Sequence, residues 1–306
     1  MADIAQLNHE YGIAGKVNFK TGPGELPFVE LSSTHGSAVV ALQGGHLLSW
    51  IPRGEQPVIW LSKDAKFAPG KSIRGGVPVC WPWFGHHPGE TSFPAHGFAR
   101  TVPWQVVAAE ESGDGGTRLV LSLEQNDATR RYWPLSTEVT IRISLGAALE
   151  IELITRNTGE APITIGEALH TYFEVGDVRE IAIHGLENCE FLDKLDGGKS
   201  KRQKGPVRFC GELDRVYLNT IGDCLIDDAG LNRRIRIAKR GSRSTVVWNP
   251  WHEKAANMGD LGEGGYLNMV CVESANTADN AVSIAAGDEH HLAAIYRVEA
   301  LSNRDS

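Results

Sequence analysis

Apolar and polar positions alternate with period two through much of the chain, most plainly where Val139, Ile141, Ile143 and Leu145 interleave with Thr140, Arg142 and Ser144. Successive side chains of a strand point to opposite faces, so this pattern marks a half-buried strand. After a break at Gly146 to Ala148 it resumes as Leu149, Ile151 and Leu153 against Glu150 and Glu152, which predicts an antiparallel hairpin. A second hairpin is predicted from residues 102–108 and 119–123, which flank the turn-rich Ser112, Gly113, Asp114, Gly115 and Gly116. Further strand-like runs cover residues 38–42, 181–184, 244–248, 269–272 and 292–298.

Helical periodicity is scarce. Many short strands separated by Gly and Pro predict a mainly β fold, an antiparallel β-sandwich with few short helices, over an α/β fold with a parallel sheet. No repeat of fixed period, low-complexity tract or Pro/Ser-rich linker interrupts the chain, so residues 1–306 read as a single domain. Residues 1–24 read as an N-terminal extension draped over the body before the first clear strand, and residues 301–306 as a frayed polar tail.

Composition narrows the function. With 42% hydrophobic and 22% charged residues the chain is ordinary for a globular protein. It has no apolar stretch near the roughly 18 residues of a membrane span, and Met1 to Glu10 lacks the basic-then-apolar pattern of a secretory signal. The expectation is a cytoplasmic protein with no membrane partner. Five scattered cysteines, Cys80, Cys189, Cys210, Cys224 and Cys271, form no C-x-x-C pair and read as reduced structural thiols.

A formal net charge of −8 argues against a nucleic-acid partner, so any anionic ligand must be held by local arginines. Of two basic runs, Lys199 to Lys204 reads as a solvated loop and Arg233 to Arg243 as a half-exposed strand.

Three segments crowd functional groups together. SIRGGVPVCWPWFG at 72–85 and PAHGFAR at 94–100 carry Arg74, His96 and Arg100. Guanidinium forks match phosphate or carboxylate, and the faces of Trp81 and Trp83 would suit the C–H face of a sugar. GEALHTYFEVGD at 166–177 carries His170, whose imidazole can give or take a proton near neutrality. MVCVESAN at 269–276 carries Glu273, which would become a better base if it faced the interior.

On residue type and spacing alone each has a plain alternative: surface or salt-bridged arginines, a satisfied loop histidine at 96, a buried structural histidine at 170, and a solvent-facing glutamate at 273. Gly259, Gly262, Gly264 and Gly265 lack the order of a dinucleotide fingerprint, and no P-loop, G-x-S-x-G elbow or H-E-x-x-H pair is present. The doublets His86–His87 and His290–His291 lack a carboxylate at a familiar metal spacing and read as surface histidines.

Taken together, ALQGGHLLSW at 41–50, SIRGGVPVCWPWFG, PAHGFAR, ALHTYF at 168–173, DRVYLN at 214–219 and VCVESA at 270–275 resemble the aldose 1-epimerase family, specifically its hexose-6-phosphate mutarotase branch. The resemblance implies a galactose-mutarotase-like β-supersandwich whose concave face holds a small-molecule sugar phosphate, with no cofactor and no metal. It implies His170 as general acid and Glu273 as base, with His96 assisting near the ring oxygen or O1. Asp214 would bind hydroxyls, and Arg74 and Arg100 would contact the substrate and its phosphate. One position departs: some relatives carry glutamine before HGFAR, where this chain has Ala95. A bell-shaped pH dependence follows from the acid–base pair. The rivals are a non-catalytic sugar sensor on the same fold, a mutarotase of unphosphorylated aldoses, and a glycoside hydrolase using Asp214 and Glu273. The expected assembly is a monomer.

Overall fold

The computed structural model describes residues 3–301. Its two largest sheets have eight strands each, and every ladder between named strands is antiparallel. One sheet runs in the order Ala182–His184, Cys224–Asp228, Arg233–Arg240, Glu289–Ala300, Leu149–Asn157, Thr137–Leu145, Thr117–Leu123, Trp104–Glu111. Both predicted hairpins lie in it: Leu145 faces Leu149 across the first turn and Glu111 faces Thr117 across the second. Thr137–Leu145 buries every odd-numbered residue.

The other large sheet positions the candidate site. It runs Lys199–Arg202, Glu190–Asp193, Leu213–Leu218, Ser244–Asn249, Met269–Asn276, Glu167–Leu169, Val79–Cys80, with Tyr172–Glu174 also paired to Met269–Asn276. Alternation divides its two faces. Val247, Val270, Val272, Leu213 and Tyr217 enter the main core between the sheets, whereas Val246, Trp248, Asp214, Cys271 and Glu273 point the opposite way. Met269–Asn276 is buried at all eight positions, which is why its first half, Met269 to Val272, is apolar without alternation. The sheets are joined by side chains as well as packing: Phe173 meets the Tyr296 ring edge-on at 5.1 Å, and the Trp81 indole donates to Thr155 Oγ1 at 3.0 Å.

Several expectations change. The N-terminal segment is integrated rather than draped. Asp3 caps the helix Ile4–Tyr11, Asn8 bonds the backbone of Phe19, and Val17–Thr21 is the first strand of a four-stranded sheet that continues to Pro52. Lys199–Arg202 is an exposed strand held by Glu190–Asp193, not a loop; its alternating long side chains suit a solvent-facing edge, and Lys201 pairs with Asp193 at 2.8 Å. Arg233–Arg240 is a strand as expected, but Arg233 is buried and donates to the carbonyls of Gln56 and Glu174. Of the proposed tail, residues 302–306 lie outside the described residues. Among the described residues no helix is long and apolar enough to cross a membrane.

Candidate active site

His170 falls in a two-residue gap between Glu167–Leu169 and Tyr172–Glu174, both of which pair with the strand that carries Glu273. The register that sets Leu169 against Ser274 and Tyr172 against Cys271 sets His170 against Glu273. On its other edge the His170 amide donates to the carbonyl of Pro78 at 3.0 Å, continuing the register of Leu169 with Val79. His170 Nε2 lies 3.5 Å from Glu273 Oε1. Each member also keeps a buried atom without a hydrogen-bond partner, Nδ1 of His170 and Oε2 of Glu273. An unmade bond at a buried polar atom costs roughly 1–3 kcal/mol. Such atoms are poised for a ligand that completes them.

The pair opens on a cavity of about 710 Å³ that is also lined by Arg74, His96, Arg100 and Asp214. All six residues singled out in the sequence therefore meet at one place. Arg74 is tethered: its Nε donates to Asp260 Oδ1 at 3.1 Å and its Nη1 to the Tyr172 hydroxyl at 3.0 Å. Burial opposes its charge, but Tyr172 and Asp260 outweigh that and raise its pKa. Arg100 donates through Nη2 to the Ala95 carbonyl at 2.8 Å. Ala95 therefore contributes its backbone carbonyl, not a side chain, to the placement of Arg100.

His96 is held by the bond of its amide to the Gly85 carbonyl, while Gly85 N–H donates to the ring Nδ1 at 3.4 Å. Burial and then the charge of Arg100 push its pKa down to about 3. Nδ1 therefore accepts and Nε2 keeps the proton, so His96 is a neutral donor.

Burial, followed by the proximity of His96 and the charges of Arg100 and Arg74, drives the His170 pKa well below 6.5. Burial, then the charge of Asp214, raises Glu273 well above 4.5, while Arg100 pulls the other way. Asp214 is itself raised by burial, against the pull of Lys254 and Lys194. Both shifts in the central pair favour the uncharged arrangement, carboxylic acid beside neutral imidazole. It contains as many protons as carboxylate beside imidazolium, so passing one proton between the partners interconverts the two.

The aromatic surface differs from expectation. Trp81 and Trp83 are buried in the core, their indoles bonded to Thr155 and to the Pro94 carbonyl. The cavity is walled instead by Phe84, Tyr172 and Trp248, with Tyr172 stacked on His170 at 5.0 Å. Tyr172 was recoverable from the sequence, since it stands two residues from His170 and strand spacing puts both on one face. Asp260, in the glycine-rich loop, and Lys194 and Lys254 carried no such signal. Nor is His290 a plain surface residue: its Nε2 lies 2.9 Å from the fully buried carboxylate of Glu167.

The family model for aldose 1-epimerase matches residues 27–297. The chain belongs to the aldose 1-epimerase family. Within the family it is 39% identical over 275 residues to an Escherichia coli (strain K12) protein named "Putative glucose-6-phosphate 1-epimerase", a match covering 90% of this chain and 91% of that one. A Cenchrus ciliaris protein of the same name is 33% identical, with 88% and 84% of the two chains covered. In structure the chain is similar to a Salmonella typhimurium crystal structure named "putative mutarotase", at TM-score 0.87 and 36% identity over 93% of this chain and 94% of that one. A galactose mutarotase related enzyme from Lactobacillus acidophilus shares the fold, at TM-score 0.69 and 13% identity over 90% and 99% of the two chains. These matches bear out the β-sandwich of galactose-mutarotase type and a mutarotase of the epimerase family.

Proposed function

We propose that this epimerase interconverts the α and β anomers of hexose 6-phosphates, glucose 6-phosphate foremost, as a monomeric, single-domain cytoplasmic enzyme. The observation that carries the reading is the buried His170–Glu273 pair, each partner with an unsatisfied atom, in a cavity that also holds two arginines. The names of the Escherichia coli and Cenchrus ciliaris relatives support the phosphorylated substrate. Five unpaired cysteines support a reducing compartment.

With Glu273 as carboxylate and His170 as imidazolium, Glu273 takes the proton from the O1 hydroxyl while His170 protonates the ring oxygen, and the C1–O5 bond opens to the aldehyde. The pair is then carboxylic acid beside neutral imidazole, the arrangement its burial favours. Rotation about C1–C2 presents the other carbonyl face. Reversed proton transfers close the ring to the opposite anomer. His96 supplies an N–H near the reacting oxygens, Asp214 accepts from sugar hydroxyls, and Arg74 and Arg100 meet the phosphate. The walls Tyr172 and Trp248 give the ring an apolar surface.

The direction of the pKa shifts changes the expected bell into a broad plateau. A second proton enters the pair only below the depressed range of His170, and the last leaves only above the raised range of Glu273; both end states lack either base or acid. Activity should therefore persist above pH 6.5, where an ordinary histidine would be half deprotonated. A pH profile of kcat/KM by NMR anomer exchange checks this, and an alkaline limb at or below that pH would remove the assignment.

Phosphate selectivity has its own test. Arg74→Met and Arg100→Met should each lower kcat/KM for glucose 6-phosphate about tenfold to a hundredfold, from about 1.5–3 kcal/mol per bond to a charged group. Turnover of free glucose should fall much less. An unchanged preference in both variants would remove the two arginines as the phosphate contacts, and a wild-type enzyme with no preference would leave a mutarotase of unphosphorylated aldoses.

A further inference from the structure

Cys271 belongs to neither the proton transfers nor the substrate contacts above, yet it stands two residues before Glu273 on the same strand face. A ring nitrogen of His170, the thiol sulfur of Cys271 and a carboxylate oxygen of Glu273 all lie within 4.8 Å of one another. All three side chains are buried, and the first and last carry the unsatisfied atoms Nδ1 and Oε2. Ligand atoms around a four-coordinate zinc ion, at about 2.0–2.3 Å from the metal, stand about 3.3–3.6 Å apart. The 3.5 Å between His170 Nε2 and Glu273 Oε1 already meets that spacing. The Cys271 sulfur, within 4.8 Å of both, would have to draw in by up to about 1 Å on binding.

We infer that His170, Cys271 and Glu273 form an inhibitory site for a thiophilic divalent cation of the zinc class, with the fourth coordination position open to the sugar cavity. The donor set decides the class: nitrogen, sulfur and one carboxylate suit zinc, whereas magnesium and calcium require oxygen shells. Charge fits as well. Binding releases the thiol proton and the one proton shared by His170 and Glu273, so the three ligands carry two negative charges against the two of the ion. Arg74 is offset by its ion pair with Asp260, and Asp214 offsets Arg100 at the edge of the cluster. A bound cation occupies the lone pairs that mutarotation needs, so occupancy and turnover exclude each other.

The test is an optical titration that requires no assumption about the substrate. Metal-free full-length protein is titrated with cobalt(II) as a probe, and the same preparation is assayed for anomer exchange with added zinc. Wild-type protein should develop thiolate-to-cobalt charge-transfer absorption at one equivalent and lose that signal when zinc displaces cobalt. Cys271→Ser and Cys271→Ala should both keep metal-free turnover, lose the absorption, and need about tenfold or more zinc for half-inhibition. Two replacements are used because a hydroxyl among Trp60, Tyr172 and Trp248 could disturb packing where alanine would not. Absence of the band in wild-type protein, or equal zinc sensitivity in wild type and both variants, overturns the site. If cobalt binds as described while no hexose 6-phosphate is turned over, the substrate assignment fails and the metal site stands.

Discussion

Glu273→Gln should reduce anomer exchange of glucose 6-phosphate about 10²- to 10⁴-fold, the range attributed to a positioned proton-transfer group, while leaving the protein folded and able to bind the sugar phosphate. The amide keeps the shape of the side chain and removes its ability to accept the O1 proton. Glu273 is 1% exposed and its carboxylate is disfavoured by burial. A neutral replacement therefore removes a group whose charge is costly to bury, and the melting temperature should hold or rise. The combination is diagnostic. Loss of activity together with a lowered Tm would point to a structural role for Glu273, and near-wild-type exchange would remove it as the base. Binding measured by calorimetry separates a chemical defect from a lost substrate contact.

Gly97→Ala should be among the most damaging small substitutions, although Gly97 touches no substrate in the proposed mechanism. Its φ is +72°, and a Cβ there would sit 1.9 Å from the carbonyl oxygen of Trp81. That carbonyl belongs to the buried segment that accepts the Phe98 amide at 3.1 Å, so it cannot swing aside cheaply. Left-handed strain and backbone displacement together should cost about 3–5 kcal/mol. In a chain of this size that lowers Tm on the order of 10 °C. His96 and Arg100 ride on the same segment, so the folded fraction should also lose turnover. Gly113→Ala is the control, because nothing lies within 4 Å of a Cβ at that position. Similar melting shifts in the two variants would show that the close approach at Gly97 is not what holds the loop.

The two substitutions bear on different layers of the same site. Glu273 is where proton chemistry is done, and Gly97 is where backbone packing delivers a donor and an arginine to it. The strand carrying Glu273 explains why the first is tolerated structurally: its fold is set by Val270 and Val272 on the core side and by ladders on both edges, not by the carboxylate. The 94–100 segment belongs to no strand ladder; it is held by loop hydrogen bonds from His96, Phe98 and Ala99 and by Phe98 and Ala99 in the core, all of which depend on the close approach of Gly97 to Trp81.

Period-two alternation was enough to establish the strands, because a half-buried strand must alternate whatever its partners are. It yielded both hairpins and the sandwich class. The order of the motifs yielded the family, and with it the six residues that now share one cavity. Long-range facts were not legible in the same way. Residue type could not say whether Glu273 faced solvent or interior, because the choice rests on which sheet covers the strand. Nor could it show that Trp81 and Trp83 fill the core while Tyr172 and Trp248 wall the cavity, or that Arg74 is tied to Asp260, 186 residues away.

The opposition of His170 and Glu273 is the clearest case. Glu273 ends an apolar run whose strand character the sequence determined by itself, and His170 stands between two short strands that only the structure delimits. Only the pairing of those segments across a two-residue gap brought imidazole and carboxylate to 3.5 Å, with the burial that shifts both pKa values and leaves two polar atoms unsatisfied. Alternation is a property of neighbours along the chain. Register, burial and electrostatic coupling belong to segments about a hundred residues apart in sequence, and only the folded sheet decides them.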